Sequence, residues 1–96
     1  MLVSFGDGAT EDLYHGNRPT RAQRFPAEVR ATAARKLDVL NAAASLQDLR
    51  SPPGNRLEKL EGDLEGFHSI RVNEQWRLVF RWEGGNAHDV RLTDYH

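Results

Sequence analysis

Asp94, Tyr95 and His96 are contiguous and close the sequence. They offer a carboxylate, a phenol and an imidazole, three groups that hold or move protons. A frayed polar tail is the competing reading of such a triplet. Two features weigh against it. The triplet follows a strand-like run, residues 87–93, that would tie its backbone into a sheet. It also lies close in sequence to an arginine-studded hairpin around Trp76 and Arg77. Arginine grips phosphate through a planar fork of donors. With Arg77 and the polar run Arg56, Glu58, Lys59 and Glu61, the triplet suits phosphodiester chemistry carried by side chains. A base takes the proton from a ribose 2′-hydroxyl, an acid protonates the leaving 5′-oxygen, and a cation holds the charge that grows on phosphate.

Other chemistries find less support. There is no cysteine, so neither a disulfide framework nor a cysteine metal site is available. His15, His68, His88 and His96 are scattered without zinc spacing, and no glycine-rich phosphate loop with its lysine occurs. No serine sits in a nucleophile elbow. The expectation is a site with no metal and no cofactor. Thirteen basic residues stand against 14 acidic ones. No global basic field exists to bind nucleic acid, so any anion site must come from local placement of arginines. Ninety-six residues predict a single domain with a small core. No apolar run reaches membrane-spanning length and no signal peptide is evident, so a cytoplasmic protein without membrane contact is expected.

The elements that must position these residues fall into two parts. Residues 2–5 form a short apolar run that suits a first strand, broken by Gly6-Asp7-Gly8. Residues 10–14 read as a short helix with Thr10 as its cap and Gly16-Asn17 as its stop. The strongest helix begins at Pro26, where Val29, Ala33, Leu37, Leu40 and Ala44 draw one apolar stripe. Leu46 and Leu49 suit a further helical turn, and Pro53-Gly54 marks a loop. The period then becomes two. Residues 56–61, 67–72, 76–82 and 87–93 read as an antiparallel meander. The fold class is α+β, with N-terminal helices packed on one face of an antiparallel sheet.

Alternation assigns the faces. Trp76, Leu78, Phe80 and Trp82 share the helix-covered side, with His68, Ile70 and Val72, and with His88, Val90 and Leu92. His68 and His88 read there as packed core histidines. The second face, expected to be open, carries Arg71, Arg77, Arg81 and Arg91. A three-residue turn at 73–75 places Arg71 across from Arg77, a like-charge pair that an anion would relieve. A three-residue turn at 84–86 pairs Arg81 with Asp89 and Arg77 with Thr93. Arg77 then lacks an acidic partner and is the better ligand candidate, with Tyr95 on the Thr93 side nearby.

Longer stretches resemble a known family. They are Leu60-Glu61-Gly62-Asp63-Leu64-Glu65-Gly66, Ser69-Ile70-Arg71-Val72, Gln75-Trp76-Arg77-Leu78-Val79-Phe80 and the terminal Asp94-Tyr95-His96. They resemble the HigB toxins of the RelE/ParE superfamily, the plasmid maintenance killer proteins. Phe25-Pro26, Asn41-Ala42-Ala43, Leu46-Gln47-Asp48-Leu49 and Pro52-Pro53-Gly54-Asn55-Arg56-Leu57 fit as well, so the resemblance covers nearly the whole chain. It implies a RelE-like fold and a type II toxin that cuts mRNA in the ribosomal A site without a metal. It also implies a HigA-type helix-turn-helix antitoxin, with DNA bound only through the toxin–antitoxin complex. Carried onto this chain, Arg77 would stabilise the scissile phosphate while Asp94, Tyr95 and His96 position it and share proton transfer. Arg56, Lys59, Arg71 and Arg91 would bind RNA. The chain departs from related toxins at Glu58 and Glu61, where basic or histidine side chains are common. Carboxylates there repel phosphate unless one works as the base. Two alternatives follow: a ParE-like toxin with a protein target such as gyrase, or a weakened homologue that acts in antitoxin binding and operon repression.

Overall fold

Apolar residues at helical spacing build one long helix, and residues at period two build the sheet beneath it. The structure, a computed structural model, describes residues 1–16 and 19–94. Helices α1 (Gly8–His15), α2 (Pro19–Ala22) and α3 (Ala27–Ala42) come first. Two 3₁₀ turns follow, Leu46–Arg50 and Pro53–Asn55. Strands β1 (Glu58–Lys59), β2 (Phe67–Arg71), β3 (Trp76–Glu83) and β4 (Asn86–Asp94) then form an antiparallel sheet in the order β1-β2-β3-β4. Among the described residues, no helix is long and apolar enough to cross a membrane.

The α3 stripe forms as its spacing predicts. Val29, Ala33, Leu37 and Leu40 are buried against Ile70, Leu78, Phe80 and Val90 in one apolar cluster. Each fully buried Val or Leu side chain contributes about 1.5–3 kcal/mol. The stripe's last expected member, Ala44, is exposed, and Ala43 is buried instead. The chain leaves the helix after Ala42 and Ala43 is extended, so the helical period no longer applies. Pro26 caps the helix from outside, with ψ 144°, and does not occupy its first turn.

The N-terminal cap also differs from expectation. The Asp7 carboxylate, not Thr10, caps α1 by accepting the Thr10 N–H at 2.8 Å. The Thr10 hydroxyl is buried and accepts the Leu92 N–H at 2.9 Å, closing part of the outer edge of β4. Residues 2–5 run parallel to β4 through two bridges, Leu2 to Ala87 and Phe5 to Val90. Gly6 follows where the chains converge: a Cβ there would come within 2.8 Å of the Asp89 carbonyl oxygen.

The β3–β4 hairpin refines the expected register. Its turn has two residues, Gly84 and Gly85, both at positive φ, which suits the right-handed twist of the strands. A bulge between Val79 and Arg81, with Asp89 at φ 54°, restores the pairing. Arg77 therefore faces Thr93 as expected. Arg81 pairs with His88 rather than Asp89, yet its Nε still reaches the Asp89 carboxylate at 3.3 Å. His88 thus leaves the apolar face, where Ala87 takes the core position.

Candidate active site

The sheet face away from the helices is less open than its charges suggest. Arg77 is only 7% exposed, and its neighbours Ser69 and Val79 are buried with it. Its Nε donates to Ser69 Oγ at 2.8 Å. Its Nη2 donates to the Arg56 carbonyl at 2.6 Å and to the Ser69 carbonyl at 3.4 Å. A guanidinium bonded on two edges is fixed in plane and direction.

The backbone is shaped to provide these acceptors. Arg56 sits in the left-handed region, φ 44° and ψ 56°, just after the 3₁₀ turn Pro53–Asn55. That conformation costs a non-glycine residue about 1–2 kcal/mol. Asn55 offsets it from a fully buried position: its side-chain amide donates to the Leu49 and Ser51 carbonyls at 3.2 and 3.3 Å, and Lys36 donates to its Oδ1. The loop is thereby tied to α3 and to the preceding turn.

Above Arg77 lies a cleft of about 280 Å³ lined by Arg56, Glu58, Arg71, Asn73, Glu74 and Arg77. Arg71 faces Arg77 across the strand pair, as the turn length predicts. Two arginines directly opposite repel each other. Glu58 lies 3.8 Å from Arg77 Nη2. Arg77 therefore has an acidic neighbour after all, supplied by β1 rather than by the β3–β4 hairpin. A cleft with three guanidinium groups and two carboxylates, Glu58 and Glu74, can hold a phosphate and offer it a base.

The sequence candidates do not all gather here. Arg56, Glu58, Arg71 and Arg77 share the cleft. Glu61 is exposed at the start of the next turn and does not line it. Lys59 pairs with His68 and faces the helix-bearing side. Arg91 is exposed and lines another cleft, of about 450 Å³, with Asp7, Arg24, Phe25, Trp76 and Asp94. Asp94 ends β4 across from Trp76, and its carboxylate accepts from Gln75 Nε2 at 2.9 Å. Tyr95 and His96 lie outside the described residues. Sequence reasoning missed Ser69 and Asn55 as supports. Ser69 was legible only as a small polar residue on the face of Arg71. Asn55 carried no signal beyond its place in a loop.

His68 has a perturbed titration. Its ring stacks on Phe80, 6.2 Å between centroids. Burial, and secondly the Lys59 charge, push its pKa below the ordinary value. Well above the ordinary pKa of about 6.5 the ring is neutral in folded and unfolded chains alike and contributes no pH dependence. As pH falls below that value the unfolded chain binds the proton first, so the folded state loses stability until the folded imidazole also protonates. Urea midpoints at pH 7.5 and 5.0 should therefore fall more for the wild type than for His68→Phe. Equal falls would mean that the ring is fully solvated.

Comparison with known proteins agrees with this architecture. The family model described as the RelE-like toxin of the type II toxin–antitoxin system HigB matches residues 3–96. Toxin HigB-1 of Vibrio cholerae is 45% identical over 95 residues, covering 99% of this chain and 98% of that protein. Endoribonuclease HigB of Proteus vulgaris is 42% identical over 41 residues, 43% of this chain and 45% of that protein. Among solved structures, the YoeB-YefM complex from Staphylococcus aureus aligns with TM-score 0.62 at 20% identity, over 100% of this chain and 98% of that chain. YafQ from E. coli aligns with TM-score 0.64 at 13% identity, over 98% of this chain and 91% of that chain. At those identities the structural likeness concerns the fold, whereas the family model and the full-length relative establish that this chain belongs to the RelE-like HigB toxins of type II toxin–antitoxin systems.

Proposed function

We propose that this chain is an endoribonuclease that cuts mRNA in the ribosomal A site, acts in the cytoplasm and is held inactive by a HigA-type helix-turn-helix antitoxin. The observation that carries the reading is the fixed Arg77 guanidinium on the floor of an arginine-lined cleft with Glu58 3.8 Å away. The Proteus vulgaris relative, an endoribonuclease by name, supports the same chemistry. Arg77 and Arg71 hold the scissile phosphate. Glu58 takes the proton from the 2′-hydroxyl, whose oxygen attacks phosphorus. The 5′-oxygen leaves and takes a proton from the terminal pair Tyr95 and His96, giving a 2′,3′-cyclic phosphate and a 5′-hydroxyl. Asp94, whose carboxylate accepts from Gln75 Nε2, shares with them the positioning of the phosphate and the proton transfer. No step requires a metal ion.

The test is induction of the chain alone, with mRNA 5′-ends mapped on ribosomes, beside His96→Gln and Glu58→Gln. Growth arrest with ribosome-associated cuts that fall about 10²–10⁴-fold in both variants is expected, the usual range for losing an acid or base. Arrest without cuts would favour a protein target. Absence of arrest from a folded chain would mean that the chemistry is lost.

A further inference from the structure

Another cleft, of about 270 Å³, lies on the helix-bearing side of β1, lined by Leu46, Gln47, Arg50, Leu57, Lys59 and His68. We propose that Arg50, Lys59 and His68 form a second RNA-phosphate subsite, across β1 from the Arg77 cleft. The assignment deepens the nuclease reading and rests on it.

Three observations carry it. First, the lining holds two cations and an imidazole but no carboxylate. The Arg77 cleft includes Glu58 and Glu74, and the cleft at the end of β4 includes Asp7 and Asp94. Asp48, on the turn beside this lining, folds back on its own turn and accepts the Ala44 and Ser45 N–H groups at 2.9 and 3.1 Å. Second, Lys59 and His68 are direct cross-strand partners, so their side chains leave the same face side by side. His68 Nδ1 is buried without a hydrogen-bond partner among the described residues. The least costly arrangement leaves Nδ1 bare and the proton on Nε2, which then serves as a donor toward the cleft. Third, adjacent residues of a two-residue edge strand point into the two clefts, Glu58 into one and Lys59 into the other. A chain of regularly spaced phosphates that passes over this edge meets both. A single acidic side chain has no need of the pair.

An anion between these groups also stabilises a protonated His68. Lys59 on β1 is the charge that acts on the ring, Arg50 on the turn Leu46–Arg50 shares the cleft lining, and β3 contributes the neutral Phe80. RNA binding should therefore raise the His68 titration midpoint, and affinity should rise as pH falls.

The experiment uses the full chain, isotope-labelled, with a uniformly 2′-O-methyl nine-nucleotide RNA that cannot be cut through its 2′-oxygen. Arg50 and Lys59 are exposed, so Arg50→Gln and Lys59→Gln should fold. Each should weaken binding by about 3–10-fold and lower the salt slope by about one phosphate contact. The His68 ring resonance should titrate at higher pH with RNA than without it. An unmoved midpoint or an unchanged salt slope overturns the subsite. An equal shift with inorganic phosphate at matched ionic strength reduces it to an adventitious ion only. An equal shift with a glutamate-rich peptide reassigns the cleft to a protein partner. Binding through the cleft by a chain that makes no cuts in cells would remove the nuclease reading and keep the RNA subsite. Cuts that neither glutamine variant weakens would remove the subsite and keep the nuclease.

Discussion

Arg77→Ala is expected to lower RNA cleavage by at least about 10²-fold, the usual loss when one fixed donor to a developing oxyanion is removed. The same change should destabilise the chain by about 2–4 kcal/mol, because it strands buried acceptors and opens a cavity. The two effects share one cause. Arg77 is 7% exposed and bonded to Ser69 Oγ and to the Arg56 and Ser69 carbonyls, so it braces β2, β3 and the loop before β1, and in the proposed mechanism the same guanidinium binds the phosphate. Read as an exposed arginine, Arg77 would have been a pure activity mutant. Its burial predicts a chain that is also weaker. Arg77→Lys separates the roles. It keeps the charge but not the planar fork, so cleavage should stay low while part of the stability returns. Urea unfolding and counts of mapped 5′-ends measure the two quantities on the same variants. Unchanged stability in Arg77→Ala would show that the bonds to Ser69 and Arg56 contribute little. Full cleavage would remove Arg77 from the chemistry.

Much of this arrangement was legible in the sequence because it depends on short periods. Val29, Ala33, Leu37 and Leu40 are buried as a spacing of three and four requires, and the order of strands follows from short connections. The Arg71–Arg77 pairing needed only the length of the turn at 73–75. The errors share a physical origin. Asp89 occupies a bulge with positive φ, and no alternation rule detects one extra residue, so His88 and Ala87 exchange faces. The open face was inferred from alternation, with the helices assigned to the apolar side. Burial of Arg77 depends on a carbonyl brought over it by Arg56, and backbone acceptors are invisible to residue type. Glu58 and Lys59 were grouped by adjacency, although adjacent strand residues point to opposite faces. That separation yields one cleft with a carboxylate and another without.

Asn55→Ala should cost about 2–4 kcal/mol, the largest loss expected from a polar residue that touches no substrate. Asn55 is fully buried in a loop with few regular backbone bonds of its own. Its side-chain amide donates to the Leu49 and Ser51 carbonyls, and its Oδ1 accepts from Lys36 on α3. Alanine leaves two carbonyls without that donor, in space that solvent does not readily reach. Lys36 loses a partner as well, but it is only half-buried and can turn to water. The consequence for the site passes through the next residue. Arg56 holds left-handed geometry only while its loop is fixed, and its carbonyl is the 2.6 Å acceptor of Arg77. Loosening the loop should therefore loosen the guanidinium. The double variant Asn55→Ala with Arg77→Ala should be more stable than the sum of the single losses predicts, by about 1 kcal/mol, as neighbours in one bonded network behave. Urea unfolding of the four chains measures that coupling. Losses that add to within about 0.5 kcal/mol would mean that the sheet alone positions Arg77. The left-handed turn at Arg56 would then serve the loop and not the site.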